Sequence, residues 1–165
     1  MQFSSAYWIE KLDLERHPEG GWFKEVYRSE DLMFPDPACF QPNVRRNICT
    51  SIYYLLEGSD FSSFHRIKSD EIWHYYTGTS ATEILWIDGN KLKYFVLGVG
   101  EKDAFQAVVP KYAWFAARLA DKTGYALLGC TVAPGFHFDD FEMADQKLLE
   151  EYPELAEEIA GLIRM

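Results

Sequence analysis

The stretch Gly58-Ser-Asp-Phe-Ser-Ser-Phe-His65-Arg-Ile67-Lys-Ser-Asp-Glu71-Ile-Trp-His-Tyr-Tyr-Thr-Gly78 decides how this chain is read. Aromatic and β-branched residues fill it, and Ser69-Asp70 interrupts it, so it predicts two strands, 62–67 and 71–77. Side chains two apart on a strand share a face, which puts His65 with Ile67, and Glu71 with Trp73 and Tyr75. Antiparallel pairing of these two strands would bring His65 beside Glu71. A histidine next to a carboxylate inside an aromatic-lined barrel binds a metal, works as a general base, or is a satisfied polar pair. His74 alternates to the face opposite Glu71 and is assigned a packing or surface role.

Outward from this stretch, residues 22–132 keep the same character: short runs of Ile, Val, Tyr, Phe and Trp between turn residues, the look of an antiparallel sandwich or barrel. Further strands are predicted at 23–28, 48–56, 81–87, 91–97, 105–109, 114–119 and 125–132. The firmest hairpin is 85–92, where Asp88-Gly89-Asn90 can supply the positive φ that a tight primed turn requires. A first helix, capped by Ser5 and showing Tyr7, Trp8, Leu12 and Leu14, ends at the break His17-Pro18-Glu19-Gly20-Gly21. After Pro134-Gly135, helix signals return at 144–151 and again behind Pro153, with Leu155, Ile159, Leu162 and Ile163 on one side, as a cap on the barrel. The loop 29–43, with Pro35, Pro37 and Pro42, can fold over a pocket mouth or pack on a partner chain. One domain follows: 1–21 helix and loop, 22–133 β-barrel, 134–165 helical cap.

Composition narrows the function classes. A chain of 165 residues with 48% hydrophobic and 16% aromatic residues can bury a core of its own. Its net charge of −10, with acidic residues gathered at 139–158, repels phosphate backbones and anionic lipid, so neither nucleic acid nor membrane is an expected partner. Cys39, Cys49 and Cys130 form no CxxC pair and no even set, which argues against a disulfide framework or a zinc ribbon. Glu10, Lys11 and Asp13 fall where a secretory segment would be apolar, and no run reaches about 18 apolar residues, so a cytoplasmic location is expected.

Gly58, His65, Glu71 and Gly78 resemble the first motif of the cupin superfamily, with six residues between Glu71 and Gly78. The second cupin motif falls on Pro110 to Phe115, where the proline alone matches. Within that superfamily the chain is similar to a branch of small single-domain proteins of unassigned function. The resemblance rests on His17-Pro-Glu-Gly-Gly-Trp22, Tyr27-Arg28, Thr50 to Leu56, Phe64-His-Arg66, Asp70-Glu-Ile-Trp73 and Gly129 to Phe136. It implies an all-β core folded as a double-stranded β-helix (jelly-roll) barrel with an N-terminal helix and C-terminal helices, and a homodimer. Metal-binding cupins use two His and the Glu of the first motif plus the His of the second. Here Ile67 and Phe115 stand at two of those positions, so no metal cofactor is expected; if one is bound, His65 and Glu71 are its ligands.

Three readings stand side by side. The first is a metal-independent isomerase, epimerase or lyase acting on a carbohydrate or nucleotide-sugar-like ligand. His65 is then the base, Glu71 tunes it, Tyr75 returns the proton, and Arg28 or Arg66 holds an anionic group. The second is a small-molecule binder or sensor in which Trp73, Tyr75, Trp114 and Phe115 form a stacking pocket around His65 and Glu71. The third is a metal enzyme that takes a ligand from outside the motifs.

Overall fold

The computed structural model describes residues 3–36, 38, 40 and 43–164. Helix α1 (Ser5–Leu12) is capped by Ser4 rather than Ser5: the Ser4 hydroxyl accepts the Tyr7 amide, and Asp13 closes the helix at φ 52°. The strands are β1 (Glu15–Arg16), β2 (Trp22–Arg28), β3 (Leu32–Met33), β4 (Arg46–Asn47), β5 (Thr50–Glu57), β6 (Phe61–Ile67) and β7 (Asp70–Gly78). They continue with β8 (Thr82–Asp88), β9 (Lys91–Leu97), β10 (Gln106–Val109), β11 (Phe115–Leu119), β12 (Tyr125–Ala133) and β13 (Phe141–Met143). Helices α2 (Gln146–Glu151) and α3 (Ala156–Ile159) follow, and Pro153 lies in the turn ahead of α3 rather than inside it.

Among the described residues two antiparallel sheets face each other, in the orders β1-β2-β5-β12-β7-β10 and β13-β6-β11-β8-β9. From β5 to β8 each successive strand crosses to the opposite sheet, the winding of a jelly roll. The β8–β9 hairpin forms as expected, Asp88 opposite Lys91, with Gly89 at φ 58°. Crossing between sheets overturns one expectation. Strands β6 and β7 are consecutive but not paired: His65 lies opposite Phe115 and Met143, and Glu71 opposite Val109 and Val132. The two residues therefore meet only across the barrel interior.

Alternation along the strands sorts the rest. Inward residues, among them Tyr54, Leu56, Trp73, Tyr75, Ile84, Phe115 and Leu128, fill the barrel. Outward residues of the second sheet, Phe64, Leu85, Ile87, Trp114 and Ala116, are covered by Leu148, Leu155, Ile159 and Leu162 from the C-terminal helices. Those helices thus pack on the side of the sheet instead of capping the barrel's end. Outward Leu55 and Leu127 are covered by α1. Arg46 ties the β3–β4 segment to the chain after β12 through a buried two-pronged pair with Asp140, 2.5 and 2.9 Å. Asn47 donates to Ser29 and accepts from Arg28, so the end of the 29–43 loop borders the barrel mouth. Pro37, Cys39 and Pro42 lie outside the described residues, and Cys49 and Cys130 are free thiols.

Candidate functional site

A cavity of about 200 Å³ occupies the end of the barrel where β5 and β7 begin and β6 and β12 end. Its walls are Phe23, Glu25 and Arg28 from β2, Thr50 and Ile52 from β5, His65 and Ile67 from β6, Glu71 from β7, and Cys130 and Val132 from β12. Phe136, His137 and Phe138 close one side, and His17 and Glu19 enter from the segment before β2.

Local sequence explains how Glu19 gets there. Gly20 and Gly21 take φ values of 114° and 71°, conformations that side chains disfavour. They let the chain turn flush against β6, where a Cβ on Gly20 would stand 2.1 Å from the Phe61 carbonyl oxygen. The turn buries Glu19, whose carbonyl accepts the Ser63 amide (2.8 Å) and the Arg164 guanidinium (3.0 Å). One carboxylate oxygen of Glu19 accepts the Ser62 hydroxyl at 2.9 Å. The other stands 3.3 Å from His65 Nε2 and 3.4 Å from His17 Nδ1.

The hydrogen-bond network assigns the imidazole protons. His65 Nδ1 lies 2.8 Å from the Ser63 carbonyl, an acceptor only, so Nδ1 carries a hydrogen and Nε2 is the nitrogen that faces Glu19. His17 Nδ1 accepts the Glu19 amide, which leaves it unprotonated. Burial, and then the neighbouring His65, hold His17 below its ordinary 6.5, against the pull of Glu19.

Glu71 completes the site from the opposite sheet. Burial in an apolar wall, reinforced by the negative charge of Glu19, raises it from 4.5 to about 8, and a hydrogen bond from the Cys130 thiol offsets this only in part. It is therefore protonated near neutral pH. Cys130 is itself pushed well above its ordinary value by burial and by the two carboxylates, which keeps the thiol intact as a donor.

Of the residues picked from sequence, His65, Glu71 and Arg28 line the cavity and the others do not. Tyr75 shares Glu71's face but lies four residues along β7, roughly 13 Å away at about 3.3 Å per residue, and its hydroxyl donates to the Ser80 carbonyl. Trp73 is core, edge-on to Tyr54 and Phe115. Phe115 packs its ring 4.1 Å from that of His65 and supports it from behind. Arg66 and Trp114 are on the outer face, stacked on each other at 4.5 Å, with Arg66 paired to Glu142. Arg28 reaches the mouth because a bulge at Val26 returns it to the face of Glu25, three residues earlier. Glu25 then occupies it from two sides, at 2.9 and 2.7 Å. Sequence reasoning missed His17 and Glu19; the signal was a carboxylate held between a proline and a double glycine.

A family model described as Cupin superfamily (DUF985) matches residues 6–144. The chain belongs to the cupin superfamily. This cupin is 32% identical to the uncharacterized protein YML079W of Saccharomyces cerevisiae, over 93% of this chain and 83% of that protein. Among solved structures it is similar to protein SO0799 from Shewanella oneidensis, with 35% identity, TM-score 0.85 and 99% of each chain covered. A hypothetical protein from Leishmania major is 29% identical with TM-score 0.88, covering 99% of this chain and 100% of that one. The superfamily membership and these neighbours agree with the jelly-roll barrel described above.

The cage of the metal-binding cupins does not fit the residues of this cupin. Ile67 and Phe115 are buried hydrocarbon at two of its positions. Among the described residues no group of three or more His, Cys, Asp or Glu side chains is arranged to hold a metal ion, and a stable site ordinarily uses at least three protein ligands.

Proposed function

We propose that this cupin is a metal-independent acid–base enzyme of the isomerase or epimerase kind, which takes a small molecule into the barrel and relocates a proton on it. One observation carries the reading: a protonated carboxyl and an imidazole–carboxylate couple face a single enclosed cavity from opposite sheets. A carboxyl held protonated by its surroundings and facing a cavity marks a candidate acid. His65 Nε2 takes a proton from a carbon next to a carbonyl, with Glu19 attracting the charge that arrives. The C–H electron pair becomes the new carbon–carbon double bond, and the carbonyl oxygen takes the Glu71 proton, giving an enol. Return of the enol proton to Glu71, while the His65 imidazolium delivers its proton to the other face of that carbon or to a carbon conjugated with it, gives the isomer and restores both residues. In this scheme Glu71, not Tyr75, is the acid, and Glu19 takes the tuning role expected of Glu71.

The test starts from ligands found by thermal shift, incubated with enzyme in deuterated water and followed by NMR. Wild-type protein should introduce deuterium at a carbon of the ligand. His65→Gln and Glu71→Gln should bind the ligand and exchange it at least about a hundredfold more slowly, the ordinary contribution of a positioned acid or base. Binding by wild-type protein with no exchange at any carbon would leave a binding protein and end the enzymatic reading.

A further inference from the structure

Resting on that acid–base reading of the same cavity, we propose that its ligand is a small uncharged molecule with an apolar body and one polar group, a ring ketone in type, and not a carbohydrate or an anion. The argument comes from which polar groups of the wall remain free to bind. Arg28 is the one cation that reaches the cavity mouth among the described residues, and it is occupied. Its Nε and Nη2 donate to Glu25, and its Nη1 donates to Asn47 Oδ1 at 2.8 Å and to the Phe136 carbonyl at 3.2 Å. Four of the roughly five donors of a guanidinium are thus spent inside the chain, and its charge is balanced by Glu25. No planar fork remains for a phosphate or carboxylate.

Other polar wall groups are engaged in part, the Thr50 hydroxyl hydrogen and His137 Nε2 being left as donors. Thr50 Oγ1 accepts the Phe136 amide, His137 Nδ1 accepts the Asp139 amide, and Glu19 is held by Ser62 between two imidazoles. The larger part of the wall is hydrocarbon, from Phe23, Ile52, Ile67, Val132, Phe136 and Phe138. A sugar ring carries hydroxyls around its rim, and each one set against such a wall without a partner loses its bonds to water. An apolar ring loses nothing there and directs its single oxygen to Glu71, the one side chain whose carboxyl is met only by a thiol. The cavity's about 200 Å³ is smaller than the roughly 300–1,000 Å³ that enclose drug-sized ligands. That gives room for about one ring inside the walls.

The experiment compares four ring compounds on the wild-type protein by ligand-observed NMR and calorimetry: cyclohexanone, cyclohexanecarboxylate, glucose and glucose 6-phosphate. Cyclohexanone should bind at least about tenfold more tightly than each of the others, the consequence of one unpaired polar group. Glu71→Leu should reduce cyclohexanone binding by a similar factor, and Glu71→Gln should retain it. Tighter binding of glucose, glucose 6-phosphate or the carboxylate, or no binding of the ketone at millimolar concentration, would overturn the proposal. That outcome is separate from the deuterium-exchange result: a bound ketone that never exchanges refutes the acid–base reading and leaves the ligand class intact, whereas a sugar that exchanges does the reverse.

Discussion

Replacing Glu71 by glutamine should make the protein more stable relative to wild type the more alkaline the solution. In the unfolded chain Glu71 releases its proton near 4.5, and in the barrel it holds it to about 8. Between those values the unfolded state binds fewer protons than the folded one. The stability Glu71 contributes is therefore complete below about pH 4.5 and is lost as pH rises through about 8. At about 1.4 kcal/mol for each pH unit between the two values, the loss is about 3 kcal/mol by pH 7 and approaches about 5 kcal/mol above pH 8. Glutamine has the shape of the neutral acid, can accept the Cys130 thiol, and never ionises. Urea denaturation of both proteins at intervals from pH 5 to 9 should give curves that diverge, the variant staying flat in this contribution while wild type declines. Parallel curves across that range would mean that Glu71 ionises in the barrel without penalty, and it would then be disqualified as the acid.

Three further outcomes follow from the same geometry. Glu19→Gln removes the negative charge that helps hold the proton on Glu71, so the pH dependence of stability in that variant should be shallower than in wild type, read by the same denaturation series. Gly20→Ala sets a side chain at φ 114° and 2.1 Å from the Phe61 carbonyl, and should cost about 2–4 kcal/mol, seen in calorimetry as a lower Tm; a change below about 0.5 kcal/mol would mean the turn is not held against β6. Arg46→Ala leaves the buried Asp140 carboxylate with Lys68 alone, 3.5 Å from Oδ1, and should cost about 1–3 kcal/mol in urea denaturation, more than loss of the exposed Arg66–Glu142 pair, about 0–1 kcal/mol.

The barrel is legible in strands rich in aromatic and β-branched residues between turn signals: Asp70–Gly78 shows the period of two, whereas Phe61–Ile67 and Tyr125–Ala133, buried almost throughout, are marked by their residue types alone. Strands of two or three residues, such as Glu15–Arg16, Leu32–Met33 and Phe141–Met143, are too short to carry any period and went unread. For the site, alternation placed His65 and Glu71 on inward faces but said nothing about which sheet each belonged to, and crossing between sheets gave His65 a different carboxylate. Trp114 and Phe115 were both taken into the pocket, although adjacent residues on a strand point to opposite sides and one of them had to be outside. In the sequence His17 and Glu19 read as part of a helix stop, but α1 already ends at Asp13, and β1 stands between it and them. Their role at the cavity arises from contacts with residues more than forty positions away, on which local sequence is silent.

Those distant contacts also bear on the order of folding. The Glu19 carbonyl is held jointly by the amide of Ser63 and by Arg164, 145 residues from it, and Ser63 in turn bonds the Leu162 carbonyl and the Arg164 amide. Closing loops of such length is slow compared with forming a hairpin like β8–β9. Protection of the Ser63 amide should therefore be acquired late in refolding, read by pulsed hydrogen exchange; protection as early as that of the β8–β9 hairpin would show that the Glu19 turn docks before the C-terminal segment.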